Sequence, residues 1–461
     1  MIRRRTAVAL AASVVALGIA SKPASAQSDA QDQRIQQLEA KIAALEARQA
    51  ADSREVAATI DKVLRDAERR SQLLAAGGDT SAGYDNGFFI RSGANLLRVG
   101  AQFQFRGVAS YREDTGGDKN DEIENGFEVR RMKLELGGTL LSKDLEYFFQ
   151  WATEREGGDV YLEEAWAKYM FADEWGVKAG HFKDPVHHEE LVSSKRQMAV
   201  ERSLLNELLG GGFTDRVQGV SLIYGNYGKN APVYAELALH DGLNSDNTNF
   251  TGRPEPLPDD PLGLGSSHSL DWGVSGRLEV KVMGDWKNYR DFSAMGTRED
   301  LLVIGGGFDW SQGGDGDIFC GTLDVQYEHP QGLGLYGAGL VRTVDGELVG
   351  SDDTFTDWGL LAQVSYMFNP AWEAFLRYDV TIYDEDVVFS NGNSEDTFHE
   401  VTIGINYYLG KDGSAGHRAK LTFDLTWLPN GAPKSVSGNG IMDKNNGENE
   451  WIFRGQFQLL I

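Results

Sequence analysis

From Gly87 to the end of the chain, apolar and polar residues alternate with a period of two. In the stretch that begins at Trp372, one face carries Trp372, Leu376 and Tyr378, and the other carries Arg377 and Asp379. Successive side chains of a strand point to opposite faces, so this period predicts strands with one apolar and one polar face. A water-soluble sandwich gives the same alternation, so the period alone does not select a fold.

The number of strands and the length of their connections are more selective. Sixteen strands fit the pattern, beginning near residues 96, 126, 144, 159, 175, 215, 232, 271, 299, 318, 333, 355, 371, 398, 417 and 450. Long connections follow odd-numbered strands, at 112–124, 183–214, 241–270, 385–397 and 430–449, whereas most connections after even-numbered strands are tight. The segment 285–298 is long where a tight turn is expected. This alternation predicts an all-β fold, a 16-stranded antiparallel transmembrane β-barrel over residues 84–461.

Closure of the sheet explains why such a chain can span a membrane. In hydrocarbon every backbone amide must be bonded within the protein, so a sheet is stable there only when its edges meet. The apolar face then contacts lipid and the polar face lines a lumen. Because about sixteen strands leave room for water inside, the pattern predicts passive diffusion of small hydrophilic solutes and ions.

The first 26 residues have the pattern of a secretory signal peptide. Arg3, Arg4 and Arg5 precede a mostly apolar stretch, residues 7–20, and a small-residue cleavage pattern ends at Ala26. The stretch is shorter than the roughly 20 apolar residues that a spanning helix needs. We therefore expect export and a location in the cell outer membrane.

Residues 27–80 predict a helical segment, with a coiled-coil seam at Ile35, Leu38, Ile42 and Leu45. An even number of strands places both chain ends on the periplasmic side, so this segment is expected in the periplasm. The seam weakens after Leu45, and a solvated single helix or a disordered linker remains an alternative.

Composition and motifs exclude several classes of function. A net charge of −25 argues against a general nucleic-acid binder. The single Cys320 excludes an intramolecular disulfide framework. No serine, histidine and acid form a recognisable catalytic motif, so no enzyme activity is expected. His187 and His188 lack the spacing of a helical metal motif, and we expect neither a metal nor another cofactor.

Several short segments along the chain carry recognisable motifs. They are residues 127–134 (FEVRRMKL), 163–169 (EEAWAKY), 180–185 (GHFKDP), 201–203 (ERS), 375–379 (FLRYD), 401–408 (VTIGINYY) and the closing hairpin 417–461. In this order they resemble the phosphate-selective porin O and P family. The resemblance implies a homotrimer of sixteen-stranded outer-membrane channels, some of which prefer phosphate or related oligophosphate anions.

The charges expected in the lumen are balanced, although anion selectivity requires cations at the constriction. Strands of clear phase present eleven bases and eleven acids to the lumen, and loop 183–214, expected to fold into the pore, carries four bases and five acids. The candidate pore-lining or constriction residues are Arg98, Arg106, Arg131, Lys133, Lys178, Lys183, Lys195, Arg196, Arg202, Arg377, Arg418 and Lys420. Weak selectivity is therefore expected, and a preference for phosphate or related anions stays open.

A structural role is the alternative function. The barrel would then anchor the coiled coil, which would contact the cell wall, and solute flow would be incidental with little selectivity. Under either function the expected partners are outer-membrane lipid, further copies of the chain, and small hydrophilic solutes or anions.

Overall fold

The computed structural model divides the chain into two units, residues 1–78 and 79–461. The structure describes Lys41 and residues 80–85, 87–112, 123–229, 231–243, 270–313, 316–345, 353–387, 395–434, 436–441 and 449–461. The predicted signal peptide and, apart from Lys41, the predicted coiled coil lie outside the described residues. Within these ranges, no helix is long and apolar enough to cross a membrane.

Eighteen antiparallel strands form one sheet in the described part of the second unit. They are β1 (Thr80–Tyr84), β2 (Phe88–Ser92), β3 (Asn95–Arg112), β4 (Ile123–Leu140), β5 (Ser142–Thr153), β6 (Val160–Met170), β7 (Trp175–Lys183), β8 (Arg216–Tyr224), β9 (Val233–His240), β10 (Trp272–Met283), β11 (Leu301–Gly313), β12 (Gly316–Glu328), β13 (Leu333–Asp345), β14 (Thr354–Asn369), β15 (Trp372–Ile382), β16 (Thr397–Tyr408), β17 (Ala419–Leu428) and β18 (Glu450–Leu460).

Strands β3 to β18 close into a barrel of sixteen, as predicted. Each pairs with the next along the chain, and β18 pairs with β3 from Glu450 opposite Arg112 to Leu460 opposite Gln102. Backbone hydrogen bonds between Ala101 and Ile461, of 3.0 and 2.9 Å, complete the seam. The sixteen strands begin within about three residues of the predicted positions.

The hairpin of β1 and β2 was not predicted. Strand β2 pairs with the first residues of β3, from Phe88 opposite Val99 to Ser92 opposite Asn95. It therefore lies beside β3 where β18 has ended, and it extends the sheet beyond the closed barrel.

The alternation of long and short connections is also confirmed, and it defines two ends of the barrel. We call the end that carries segment 184–215 the loop end, and the opposite end, where β14 meets β15 at residues 370–371, the turn end. The long connection 284–300 lies at the turn end, between β10 and β11.

Side chains alternate across the barrel wall as the sequence predicts. On β15, Trp372, Leu376 and Tyr378 are exposed on the outside, whereas Arg377 and Asp379 are buried on the inside. Aromatic pairs lie near both ends of the outer face, such as Trp372 with Tyr407 at the turn end and Trp427 with Trp451 at the loop end. Aromatic girdles around an apolar band are typical of a barrel that sits in a bilayer.

Candidate functional site

Segment 184–215, the connection from β7 to β8, folds into the barrel as expected; we call it the constriction loop. It contains three short helices, α1 (His188–Leu191), α2 (Leu204–Leu209) and α3 (Gly211–Thr214). Ser203 caps helix α2, and its Oγ accepts a hydrogen bond of 3.0 Å from the Asn206 N–H. Its leucines form an apolar core with Tyr336, Leu361, Phe375 and Phe398 of the wall.

The loop is held against one side of the barrel through its own backbone. Its N–H groups at Val200, Leu204 and Leu205 donate to wall carboxylates, and its carbonyls accept from wall bases. The donating contacts reach Asp424 at 2.8 Å, Glu400 at 3.0 Å and Asp379 at 3.0 Å. The accepting contacts are Gln197 from Lys420 at 2.6 Å, Glu201 from Arg377 at 2.9 Å and Leu208 from Arg342 at 3.2 Å. Charges on β13 to β17 therefore serve to position the loop.

A second segment enters the lumen from the turn end. Connection 284–300 buries Trp286, Tyr289 and Phe292, and the Tyr289 ring stacks on the His188 imidazole of the constriction loop with centroids 4.0 Å apart. We call residues 284–300 the turn insert. The two segments meet inside the barrel, so the open space lies on the other side, along β4 to β10.

Two cavities occupy that open space. The first, of about 930 Å³, lies between the constriction loop and β4 to β8, and the second, of about 450 Å³, reaches the turn insert. They share the lining residues Glu164, Lys183, Leu191, Ser193 and Lys195. We call this shared position the junction.

One carboxylate of the loop binds three guanidinium groups on the wall. Glu201 is 1% exposed and lies 2.7 Å from Arg106, 2.7 Å from Arg130 and 2.6 Å from Arg131. Burial raises the pKa of Glu201, but the three guanidinium groups outweigh it and hold that pKa well below its usual range. Glu201 is thus a fixed negative charge that ties the loop to β3 and β4.

Two β-bulges bring adjacent charged residues to the same face. Opposite β3, Gln104 pairs with Arg131 and Phe105 with Val129, so Arg130 is the extra residue and reaches the lumen beside Arg131. On β6, Glu163 is extra in the same way and lies inside with Glu164. A bulge inserts one residue and breaks the two-residue alternation. Strict alternation therefore missed Arg130, and no residue type at these positions signals the bulge.

Each basic residue that lines the first cavity has a carboxylate within 4 Å. The pairs are Arg130 and Arg131 with Glu201, Lys133 with Glu163, Arg155 with Glu128, Lys183 and Arg202 with Glu190, Lys195 with Glu135, and Arg216 with Asp215. Burial raises the pKa of Glu190, but Arg202, Lys183 and Arg216 bring it down to about 2, so this loop carboxylate is ionised. Eight bases and eight acids line the cavity.

The predicted candidate residues fall into three positions. Those that line one or both cavities are Arg131, Lys133, Lys178, Lys183, Lys195, Arg196 and Arg202. Arg106, Arg377 and Lys420 are buried against the loop and hold it in place. Arg98 and Arg418 lie at the turn end, where Arg98 bonds to Asp85 and Arg418 to carbonyls of its own turn. Both are remote from the constriction loop, because Arg98 lies near the start of β3, Arg418 directly precedes β17, and both strands start at the turn end.

Comparison with known proteins agrees with this architecture. Residues 101–255 match the family model described as phosphate-selective porin O and P. The resemblance to that family is confirmed over these residues. An uncharacterized protein of Aquifex aeolicus (strain VF5) is 23% identical over 321 residues, which make up 65% of this chain and 71% of that protein.

Several solved porins share the fold. An anion-selective porin from Comamonas acidovorans has a TM-score of 0.52 at 12% identity and covers 80% of this chain and 100% of its own. OprB of Pseudomonas putida has a TM-score of 0.52 at 10% identity, with 79% and 94% covered. OmpF of Salmonella typhi, in complex with daunomycin, has a TM-score of 0.51 at 15% identity, with 82% and 100% covered. At these identities the likeness concerns the fold. Together, the family match and the barrel support an outer-membrane channel for passive diffusion rather than an enzyme.

Proposed function

We propose that this chain is an outer-membrane porin through which small hydrophilic solutes and ions diffuse with weak charge selectivity. The observation that carries this function is a pair of adjoining cavities, with lining residues in common, beside the constriction loop inside a closed barrel. The barrel wall excludes lipid, and polar side chains that face the cavities suit hydrated solutes better than apolar ones.

Weak selectivity follows from the pairing of charges in the first cavity. A permeating ion meets each guanidinium or ammonium group together with a carboxylate a few ångströms away. The fields of such neighbours largely cancel at a distance, and salt screens the remainder over about 10 Å at 0.1 M ionic strength. We therefore expect chloride and potassium permeabilities that agree within about threefold.

Single-channel recording tests this function directly. Purified protein in planar bilayers is expected to give discrete conductance steps, with a reversal potential near zero in a potassium chloride gradient. Protein denatured by heat is the control and is expected to give no steps. Folded protein that leaves the bilayer current unchanged would contradict the proposal.

An anion preference is a second candidate, and two unpaired bases favour it. Arg196 and Arg290 line the second cavity, and among the described residues neither has a carboxylate partner. Lys183 and Lys195 also line this cavity, at the junction, although each is paired. Phosphate or related anions entering this cavity would therefore meet two guanidinium groups whose charge is not compensated.

The two candidates are separated by replacing those bases. If the second cavity selects anions, R196Q/R290Q lowers the chloride-to-potassium permeability ratio and removes any block of chloride current by phosphate. R418Q is the matched control, since Arg418 is exposed at the turn end and lines neither cavity. Wild-type protein without anion preference or phosphate block would leave only the weakly selective porin.

We also propose export through the signal peptide, a periplasmic N-terminal segment and a homotrimer. These proposals are supported by the sequence pattern and the family resemblance, and chemical cross-linking in intact envelopes tests the trimer.

Deletion of residues 31–75 tests the structural alternative, in which the barrel anchors a tether to the cell wall. If envelope attachment fails while conductance persists, the tether is a separate role; unchanged attachment would rule it out.

A further inference from the structure

Three ligand-type side chains converge at the base of the constriction loop, and none of the three lines either cavity. They are Asp184, the first residue after β7, His240 at the end of β9 and Asp309 in β11. One imidazole nitrogen and one carboxylate oxygen from each aspartate all lie within 4.8 Å of one another. Asp184 is 1% exposed, His240 4% and Asp309 0%.

The sheet register brings the two wall residues together. Gly273 of β10 is opposite His240, and two residues later Ser275 is opposite Asp309, so both side chains enter the lumen from the two strands that flank β10. Gly273 has no side chain, and a Cβ there would lie 2.4 Å from the His240 ring. The glycine therefore leaves the space in which the imidazole lies.

Several polar atoms at the centre of this cluster form no well-aligned hydrogen bond within the described chain. They are both carboxylate oxygens of Asp184 and the hydroxyl of Ser275, whereas His240 Nε2 and Asp309 Oδ2 face each other at 3.0 Å. Among the described residues, Asp184 has no ion pair, and the ion-pair partner of Asp309 is His240 at 3.0 Å. Buried polar groups are almost always satisfied, so unsatisfied carboxylate oxygens beside a buried imidazole and a second carboxylate indicate a bound species.

The outer contacts orient the ligand atoms toward that point. Ser311 Oγ donates to Asp309 Oδ1 at 2.8 Å and leaves Oδ2 free to face His240. Ser311 is held in turn by the Leu243 N–H at 3.1 Å. Such supporting hydrogen bonds are typical of metal ligands, whose orientation they fix.

We propose that Asp184, His240 and Asp309 bind one divalent transition-metal ion, which fastens the base of the constriction loop to β9 and β11. Imidazole with two carboxylates suits zinc or manganese, whereas calcium prefers oxygen ligands alone. Nε2 and Oδ2 lie 3.0 Å apart. Two atoms at that separation subtend about 90° at an ion roughly 2.1 Å from each, the angle of a six-coordinate site that water completes.

Ion binding requires one change in protonation at His240. The Gly242 N–H lies 3.1 Å from Nδ1, so in the ion-free chain the ring proton is on Nε2. When the ion binds Nε2, the proton moves to Nδ1 and the contact with Gly242 is lost, or the ring turns over. Two buried carboxylates gain a compensating charge in exchange.

Metal analysis of the folded protein tests the site. After removal of metal with a chelator and dialysis, wild-type protein in detergent is titrated with zinc or manganese against a chromophoric chelator, and bound metal is measured by mass spectrometry. We expect one ion per chain in wild type, and binding weaker by more than about 100-fold in D184N, D309N and H240Q. The D300N/H329Q variant is the control and is expected to bind as wild type does, because that exposed pair, 3.7 Å apart, lies outside the cluster.

Heat-modifiable gel migration first shows that each variant is folded, and the two isosteric asparagine variants keep the test valid if H240Q misfolds. Wild-type protein that takes up no stoichiometric ion would overturn the proposal, and the cluster would then be a set of residues that share protons. Asparagine variants that bind as tightly as wild type would overturn it as well.

Discussion

Glu201 is the position at which one substitution should change both the loop and the ion preference of the pore. The variant E201Q keeps the size of the side chain and removes the charge that three guanidinium groups share at 2.6 to 2.7 Å. Removing one partner from a buried ion pair typically destabilises a structure by about 3–5 kcal/mol. The closed barrel is held by its strand pairs, so we expect this loss to appear as a looser constriction loop.

The effect on selectivity follows from the uncompensated charge. One unit charge at roughly 6 Å from a permeating ion is worth about 0.7 kcal/mol in water, and screening at 0.1 M salt leaves about 0.4 kcal/mol. That energy changes the local concentration of anions about twofold upward and of cations about twofold downward. The chloride-to-potassium permeability ratio should therefore rise about fourfold in E201Q.

Reversal potentials in a potassium chloride gradient measure this ratio, and single-channel noise reports the mobility of the loop. E146Q is the matched control, because Glu146 pairs with Lys168, which lines neither cavity, whereas the Glu201 partners Arg130 and Arg131 line the first. It makes the same change in net charge and is expected to leave both readings near wild type. If E201Q and E146Q gave the same ratio and the same noise, the reasoning about the Glu201 cluster would be refuted.

Three further predictions concern titration, packing and the loop core. Burial raises the pKa of Glu207 in the first cavity to about 7, with Arg202 opposing and Glu190 and Glu201 adding to the rise. This side chain therefore gains its negative charge as the pH increases from 6 to 8. The chloride-to-potassium permeability ratio should fall over that range in wild type but stay flat in E207Q. G307V should displace the constriction loop and change the conductance, because a Cβ at Gly307 would lie 2.5 Å from the Val186 carbonyl oxygen. G339V is the control, because a Cβ at Gly339 would meet nothing closer than 3.3 Å. Equal conductance in the two variants would contradict this packing. L205A removes a side chain that is 1% exposed and should destabilise the packing of the loop by about 2–5 kcal/mol. Protease should therefore cleave the variant faster within residues 184–215. L237A, on the outer face, is the control and should leave cleavage unchanged.

The sequence predicts the barrel well because its signal is repeated sixteen times. The alternation agrees along β18 and along β15 from Trp372 to Asp379, since lipid on one side and a packed lumen on the other impose the same alternation on each strand. The hairpin of β1 and β2 escapes prediction because each strand has only five residues. The outward-facing Phe88 and Ile90 are too few to form a recognisable apolar–polar alternation. The unusual length of 285–298 was visible, but nothing in its composition shows that Tyr289 enters the barrel to meet His188.

The site is less predictable, because it depends on contacts between distant segments. The phase identifies Arg377 and Lys420 as inward-facing, and the structure adds that the loop backbone covers them. A count of all inward-facing acids and bases from the sequence therefore includes charged groups that are buried beneath the loop and do not face the cavities. Arg130 and Glu163 were missed for a different reason, since a bulge shifts the phase within a strand and is set by local pairing.

The meeting of the constriction loop and the turn insert divides the circumference of the barrel into two sectors under different demands. In the sector of β13 to β18, inner side chains contact the folded loop. A substitution there that breaks these contacts should lower the efficiency of assembly and the resistance to heat. In the sector of β4 to β10, many inner side chains border the two cavities, and exchanges at those that do not contact the loop should alter which solutes pass. Substitutions in these two sectors should therefore have separable effects, on loop packing in one and on solute passage in the other.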